Sequence, residues 1–375
     1  MPSARSPRRI AERDAAPGKA TLREVARRAG VHVATASRAV NEETRSLVAP
    51  ATAERVLLAA RELDYHPNHL ARSLKTQRSA TIGVVVPDLT NPLFPPIVRG
   101  IEDRLGRSGY VALVASTDND RERESRVLRE MKARSVDGLI LATAQRGQSG
   151  IVDTLSAQSP VVLLNRVLDE HRLPSVSVDD HAGVRAAVAH LIELGHRRIA
   201  YVAGPQRLST GHLRYLAFLE GMAVAGIEAD PALVAFADDF TEQEGYRCAA
   251  QLLARRRRFS AVLAGNDLLA LGVLRLLDAR DIACPAQCSL VGFNDMPLMD
   301  RVTPPLTTVH LPCYDAGFEA AALLLERIRH PGASPEVRLL PPELIVRGST
   351  ARPLARRRAT PALRPAKEGV GGRHQ

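Results

Sequence analysis

What the sequence lacks narrows its function first. No run of 18 or more apolar residues occurs, so no membrane-spanning helix is expected. The N-terminus carries Arg5, Arg8, Arg9 and Arg13 with no apolar segment behind them, which is not the pattern of a secretory signal. Four cysteines are scattered at Cys248, Cys284, Cys288 and Cys313. The Cys284/Cys288 spacing is not that of a zinc knuckle, and no His pair completes one. Free thiols in a reducing cytoplasm are expected, with no metal and no cofactor. A GxSxG elbow, a P-loop, an HExxH motif and a Gly-rich dinucleotide fingerprint are all missing, which argues against an enzyme. Tryptophan is absent, yet 45% hydrophobic and 25% charged residues are ordinary for a soluble globular chain. A length of 375 residues has room for two or three domains.

Charge is present but unevenly spread. Of the net +10, residues 1–19 carry +3, residues 20–78 carry +4 and residues 352–375 carry +6, which leaves 79–351 at −3. A mildly acidic body with basic ends fits a nucleic-acid reader joined to a domain that binds something else. The two terminal arms, 1–19 and 352–375, read as disordered solvated tails that could add non-specific DNA affinity.

The stretch TLREVARRAGVHVATASRAVN, residues 21–41, reads as two short helices around a tight turn. Leu22, Val25 and Ala26 form one apolar stripe, and Val33, Ala36, Ala39 and Val40 a second. Thr21 is a suitable N-cap, and Gly30 can take the positive φ that ends a helix. The pattern fits a helix-turn-helix whose second helix enters a DNA major groove, and equally an αα-hairpin with no such role. A third amphipathic helix is expected over 51–63, turning inward Val56, Leu57 and Ala60. A two-turn helix is expected over 68–75, capped by Asn68 and too short to be stable alone.

Further on, short β-branched runs at 82–87, 110–115, 136–142, 161–164, 199–203, 233–236, 261–264 and 290–293 read as buried parallel strands. Helical stretches lie between them at 97–107, 121–134, 151–158, 215–225, 245–253 and 268–277. This alternation argues for two similar doubly wound α/β subdomains. His190 and His196 lie on an apolar-periodic helix and its end, where a structural role is expected.

These motifs together, with ARELDYHPNHLARSLKTQRSATIGVVVPDLTNPLF, VDGLIL, HLIELGHRRIAYVAG, AGNDLLALGVL, SLVGFND and TPPLTTV, resemble the lactose-repressor (LacI/GalR) family of bacterial transcription regulators. The resemblance spans about residues 20–350. It implies an N-terminal helix-turn-helix domain (20–66), a hinge helix and linker (67–78), and a two-lobed periplasmic-binding-protein-like body (79–351) whose chain crosses between lobes three times. On that pattern the N-lobe is about 79–178 plus 309–337, and the C-lobe about 179–308 plus 338–351.

The resemblance also implies roles. Val33 and Ala34 would meet base edges, Arg38 would bond guanine, and Thr21, Thr35, Ser37 and Asn41 would contact phosphates, with His32 beside them. Asn68 and Leu74 would act at the hinge, Leu74 wedging into the minor groove at the centre of a palindromic operator bound by a homodimer. Ligands of open α/β sheets bind beyond the carboxyl ends of strands. There the chain has Asp88, Asn91, Phe94, Asn165, Arg166, Thr210, His212, Arg214, Asn266, Asn294 and Asp295, able to hold a small polar effector such as a sugar or related metabolite. For Asp267, capping of the following helix is an alternative.

Several positions depart from the family. His212 stands where an Arg is frequent, and Asn294 where many relatives have Asp. Thr210 and Arg214 match both sugar- and purine-responsive members, so the effector class stays open. The 42–50 loop is about two residues longer than usual, and Ala49-Pro50 replaces a Ser-type cap. The C-terminal tail lacks a Leu heptad, so no terminal coiled coil is expected.

Overall fold

The computed structural model describes residues 20–41, 44–65, 78–147, 156, 159–168 and 173–354. The expected hinge helix at 68–75 and most of the expected helix at 151–158 lie outside these residues. The chain divides into two units after Ser79.

In the first unit, α1 (Leu22–Ala29), α2 (Val33–Val40) and α3 (Pro50–Glu62) surround a small core. Thr21 and Glu24 form a reciprocal cap on α1: the Glu24 carboxylate accepts from the Thr21 amide at 2.7 Å, and Thr21 Oγ1 accepts from the Glu24 amide at 3.4 Å. Gly30 ends α1 at φ 64°, as its lack of a Cβ allows. The core is mostly alanine (Ala26, Ala36, Ala39, Ala53, Ala59 and Ala60) around Val25 and Val56, so the helices approach closely. α3 starts at Pro50 with no side-chain cap, because proline's missing N–H falls where a helix has no bond for it to make. The loop after α2 forms a 3-10 turn, Arg45–Leu47. Thr44 Oγ1 and Arg45 Nε donate to the Arg38 and Ala39 carbonyls, each at 3.0 Å, satisfying the open end of α2.

The second unit holds two six-stranded sheets. The first lobe contains β1 (Thr81–Val86), β2 (Val111–Ser116), β3 (Gly138–Leu141), β4 (Val161–Leu164) and β5 (Ser175–Val178), with α4 (Phe94–Gly106) and α5 (Arg121–Ala133). The second contains α6 (Asp180–Glu193), β6 (Ile199–Ala203), α7 (Ser209–Val224), β7 (Val234–Phe236), α8 (Glu242–Ala254), β8 (Ala261–Ala264), α9 (Asp267–Ala279), β9 (Ser289–Asn294) and β10 (Thr307–His310). The chain then returns through α10 (Cys313–Arg329) and β11 (Val337–Leu340) to the first lobe and ends with β12 (Glu343–Ile345) in the second. Sheet orders are β11-β5-β4-β3-β1-β2 and β12-β10-β9-β8-β6-β7, and only β12 is antiparallel to its neighbour. Such parallel sheets are covered by helices on both faces, hence the near-continuous apolar runs TIGVVV and IAYVA.

The crossings fall slightly later than the sequence suggests. Val309 and His310 pair with Phe293 and Asn294 in the second sheet rather than joining the first lobe. Arg338, Leu339 and Leu340 pair with Val176, Ser177 and Val178 in the first sheet rather than joining the second lobe. In both places backbone pairing with a neighbouring strand decides membership, and composition does not reveal it.

His190 and His196 tie the last segment of the chain to the second lobe. His190 Nε2 lies 3.0 Å from Thr350 Oγ1. His196 is buried, with Nε2 2.9 Å from the Ala351 carbonyl and Nδ1 2.8 Å from Ser260 Oγ. A carbonyl only accepts, so Nε2–H donates to it, and in the neutral ring Nδ1 is left to accept from the serine hydroxyl. Burial lowers the His196 pKa below its ordinary 6.5. The unfolded chain therefore binds the extra proton first, and stability is full above pH 6.5 and falls as pH drops through the folded pKa. One such group contributes a slope of at most about 1.4 kcal/mol per pH unit. Denaturant unfolding of His196→Asn from pH 7.5 to 5 is expected to show a shallower fall than the unaltered chain; equal slopes would remove His196 from that role.

Candidate functional site

The outer face of α2 is the first candidate. Val33, Ala34 and Arg38 are exposed, Val33 at 37%, while Ala36 and Ala39 are buried against α1 and α3. An apolar valine presented to solvent at a helix start, one turn before a cation, is suited to base edges and a phosphate-rich surface. Thr35 and Ser37 are half-buried, and Asn41 is the C-cap residue of α2. His32 has a local task that its sequence position did not reveal: its Nδ1 accepts from the Ala34 amide at 3.2 Å as the N-cap of α2. Thr21 is occupied by its cap with Glu24. Asn68 and Leu74 lie outside the described residues.

The second candidate is a cleft of about 550 Å³, counting the part open to solvent, between the two lobes of the body. It opens where the strands of both sheets end. From the first lobe come Asp88 and Asn91 after β1, Phe94 at the start of α4, and Asn165 and Arg166 after β4. From the second come Thr210 and Arg214 on α7, Asn266 after β8, and Asn294 at the end of β9. Asn165 (φ 64°) and Asn294 (φ 120°) hold left-handed backbone at strand ends of the two lobes, a conformation asparagine tolerates better than most residues. Both turns aim an amide side chain into the same space.

Two expected residues are placed elsewhere, for reasons of periodicity. Thr210 and Arg214 are four apart on α7 and share a face, whereas His212 lies on another and sits 3.4 Å from Gln206 Oε1. Asp295 follows Asn294 at the strand end and turns away: Arg347 Nη2 holds it at 2.7 Å and His310 Nδ1 at 3.1 Å. Asp267 does not cap α9. Asn266 does so, accepting from the Leu269 amide at 2.9 Å, while the buried Asp267 accepts from Thr308 Oγ1 at 2.6 Å and the Met296 amide at 2.8 Å. Burial pushes the Asp267 carboxyl up to about 7. Asn119, Asp239, Phe240 and Thr241 also line the cleft, and sequence reasoning missed them. They follow β2 and β7, so applying the strand-end rule to those two strands as well would have flagged them.

Two arginines dominate the chemistry. Arg214 is buried, and its Nε donates to Asp180 at 2.7 Å. Its Nη1 donates to the Gly265 carbonyl at 2.8 Å and to Asn294 Oδ1 at 3.3 Å, and its guanidinium lies 3.9 Å over the Phe293 ring. Nη2 makes no hydrogen bond among the described residues. Arg166 is also buried, and burial lowers its pKa to about 10, opposed by the attraction of Asp239 on the other lobe. The one described hydrogen bond of its guanidinium runs from Nη1 to Asn119 Oδ1 at 3.0 Å. A buried guanidinium with unmet donors is costly until an acceptor arrives.

Lobe-to-lobe hydrogen bonds line one side of the cleft. The Val167 amide donates to Ser209 Oγ at 2.9 Å, and the Arg146 amide to the Arg207 carbonyl at 3.0 Å. Among the described residues no cluster of three or more His, Cys, Asp or Glu could hold a metal ion, and no helix is long and apolar enough to cross a membrane.

Residues 21–68 match the model of bacterial regulatory proteins of the lacI family, and residues 188–350 that of the periplasmic binding protein-like domain. The chain is 34% identical over 331 residues to the HTH-type transcriptional repressor CytR of Escherichia coli K12, covering 88% of this chain and 96% of that one. The chain belongs to the LacI family. The architecture agrees with a solved lac repressor dimer bound to operator and the anti-inducer ONPF, at TM-score 0.80 and 28% identity over 89% of this chain and all of that one. A complex of the regulator CelR with cellobiose is similar at TM-score 0.68 and 32% identity, covering 88% of this chain and 99% of that one. The N-terminal helix-turn-helix and the two-lobed α/β body are thus those of a LacI-family transcription repressor, and not of an enzyme.

Proposed function

We propose that this LacI-family chain acts in the cytoplasm as a homodimer on a palindromic operator, with DNA affinity set by a small polar ligand, a sugar or related metabolite, in the interlobe cleft. The observation that carries this reading is the unmet hydrogen-bonding capacity of Arg166 and Arg214 facing one cleft. Phe94 and Phe240 border the same space and offer apolar faces to a ring. Carboxylates at Asp88 and Asp239 balance the guanidiniums, so a neutral ligand rich in hydroxyls fits the charge better than an anion. The cellobiose held by CelR and the operator held by the lac repressor dimer support the two halves of the reading.

Each half acts through named groups. Val33 and Ala34 meet thymine methyls, Arg38 makes a bidentate bond to guanine, and Thr35, Ser37 and Asn41 set the backbone against phosphates. Thr21, expected to join them, instead holds the start of α1 through its cap with Glu24. His32 supports the start of the reading helix through its cap. The roles of Asn68 and Leu74 at the operator centre rest on the sequence resemblance alone. Ligand that favours one lobe angle shifts DNA affinity by no more than its differential affinity for the two angles, typically about 1–3 kcal/mol.

Selection of DNA from a random pool tests the first half, with a chain beginning at residue 76 as control. An enriched palindrome, lost in the control, is expected; recovery of no site, with and without a panel of sugars and nucleosides, would reject it. Arg38→Ala is expected to cost about 1–3 kcal/mol on the selected site and to relax preference at one base pair. A uniform loss on every sequence would instead make Arg38 a phosphate contact.

A further inference from the structure

The end of the second lobe opposite the cleft is lined with arginine. β6, β8 and β9 run parallel, so their starts share one end and the cleft residues the other. Arg197 and Arg198 immediately precede β6, and the four-arginine run at 255–258 lies between α8 and β8. The Ser260 amide donates to the Arg198 carbonyl at 3.1 Å, which brings the two groups side by side. The Ala351 carbonyl is held by His196, and the Pro353 ring packs near Gly195, so Arg352 joins them.

All of these arginines are exposed. Arg255 is engaged by the Ala232 and Val234 carbonyls at 3.2 and 2.7 Å. The others make no ion pair among the described residues, although Glu193, Asp278 and Asp281 are exposed at the same end. Six guanidiniums at one end of the lobe repel one another at low salt, and three exposed carboxylates offset only part of that charge. We propose that this end of the lobe binds nucleic-acid phosphates without regard to sequence, as a contact additional to α2.

A polynucleotide fits better than a protein partner. Stable protein interfaces need buried aromatic or apolar anchors, and the nearest ring here, Phe259, packs into the lobe's own core. Phosphate binding needs only mobile cations at the surface.

The test is fluorescence anisotropy with a non-palindromic duplex of about 30 base pairs, between 50 and 300 mM salt, on the full chain. The variant is Arg197→Ser, Arg198→Ser, Arg257→Ser and Arg258→Ser together, accepted only with an unchanged melting temperature. Each lost phosphate contact lowers the log–log salt slope by about 0.9, so the slope is expected to become shallower by roughly 3 to 4. Affinity at 100 mM salt is expected to fall at least tenfold, and the same difference should persist in an Arg38→Ala background. Equal slopes for the two proteins, or no binding by the unaltered chain, would overturn the proposal without touching the ligand reading of the cleft.

Discussion

Replacing Arg214 by Met is expected to destabilise the body by about 3–5 kcal/mol. The side chain it removes is 3% exposed, and it leaves the buried carboxylate of Asp180 without its cation. It also takes donors from the Gly265 carbonyl and Asn294 Oδ1 and the stacked guanidinium from Phe293. Burial already raises the Asp180 pKa, with Arg214 opposing the rise. Without Arg214 the folded pKa climbs further above the unfolded value, so the folded state takes up a proton that the unfolded chain does not. The part of the penalty due to Asp180 is therefore absent at pH below about 3.8 and grows as pH rises toward the folded pKa. Urea unfolding at pH 5 and pH 8 should show the variant's deficit widening at the higher pH. Adding Asp180→Asn should restore a large part of the loss at pH 8. A double variant no more stable than Arg214→Met would mean that the ion pair is not the source.

Gly317→Ala is expected to be nearly as damaging, for a steric reason. α4 and α10 touch through glycines: a Cβ on Gly317 would stand 1.9 Å from the Ile97 carbonyl oxygen, and one on Gly100 2.0 Å from that of Tyr314. Backbone cannot swing aside as a side-chain end can, so the helices must separate along the core of the first lobe. Overpacking usually costs about 1–3 kcal/mol, and a clash with main chain belongs at or above the upper end. Gly106, at the end of the same α4, has open space where a methyl group would stand, with nothing within 4 Å. Gly106→Ala should be neutral or stabilising by up to about 1 kcal/mol through helix propensity. Comparable melting temperatures for the two alanine variants would refute the close-approach account. The second lobe repeats the device, with Gly245 against the Leu269 carbonyl and Gly272 against that of Glu242.

Much of this architecture is legible in the amino-acid order. The runs VVLL, IAYVA and AVLA occupy the expected strands, because a strand buried on both faces has little choice but continuous apolar side chains. β5 reads SVSV, with serines buried inside the sheet, and is not recognisable by that criterion. β11 and β12 are short edge strands whose placement depends on partners far along the chain. α4 begins at Phe94, three residues before the expected start, because Pro95 and Pro96 fall in its first turn, where proline is tolerated. α7 likewise begins at Ser209 rather than near 215, and its first turns carry the residues that reach the cleft.

The same distinction holds for the sites. Residue type and strand-end position point to Asn165, Arg166, Asn266 and Asn294. They do not show that Asn266 also caps a helix, that Asp295 is drawn off by Arg347, or that His32 serves the N-terminus of α2. Those assignments depend on contacts from segments distant in sequence, or on which lone pair a turn exposes.

The three strands of chain that pass between the lobes lie side by side. Asp179 and Leu340 share a backbone hydrogen bond of 3.0 Å, and His310 pairs with Glu343 across the last of them. A single tether would let the lobes swivel freely, but three in a row act like the knuckles of a door hinge. Twisting or sliding one lobe over the other would strain all three together, whereas bending across their line strains none. Bending across that line is therefore the motion that these three tethers resist least.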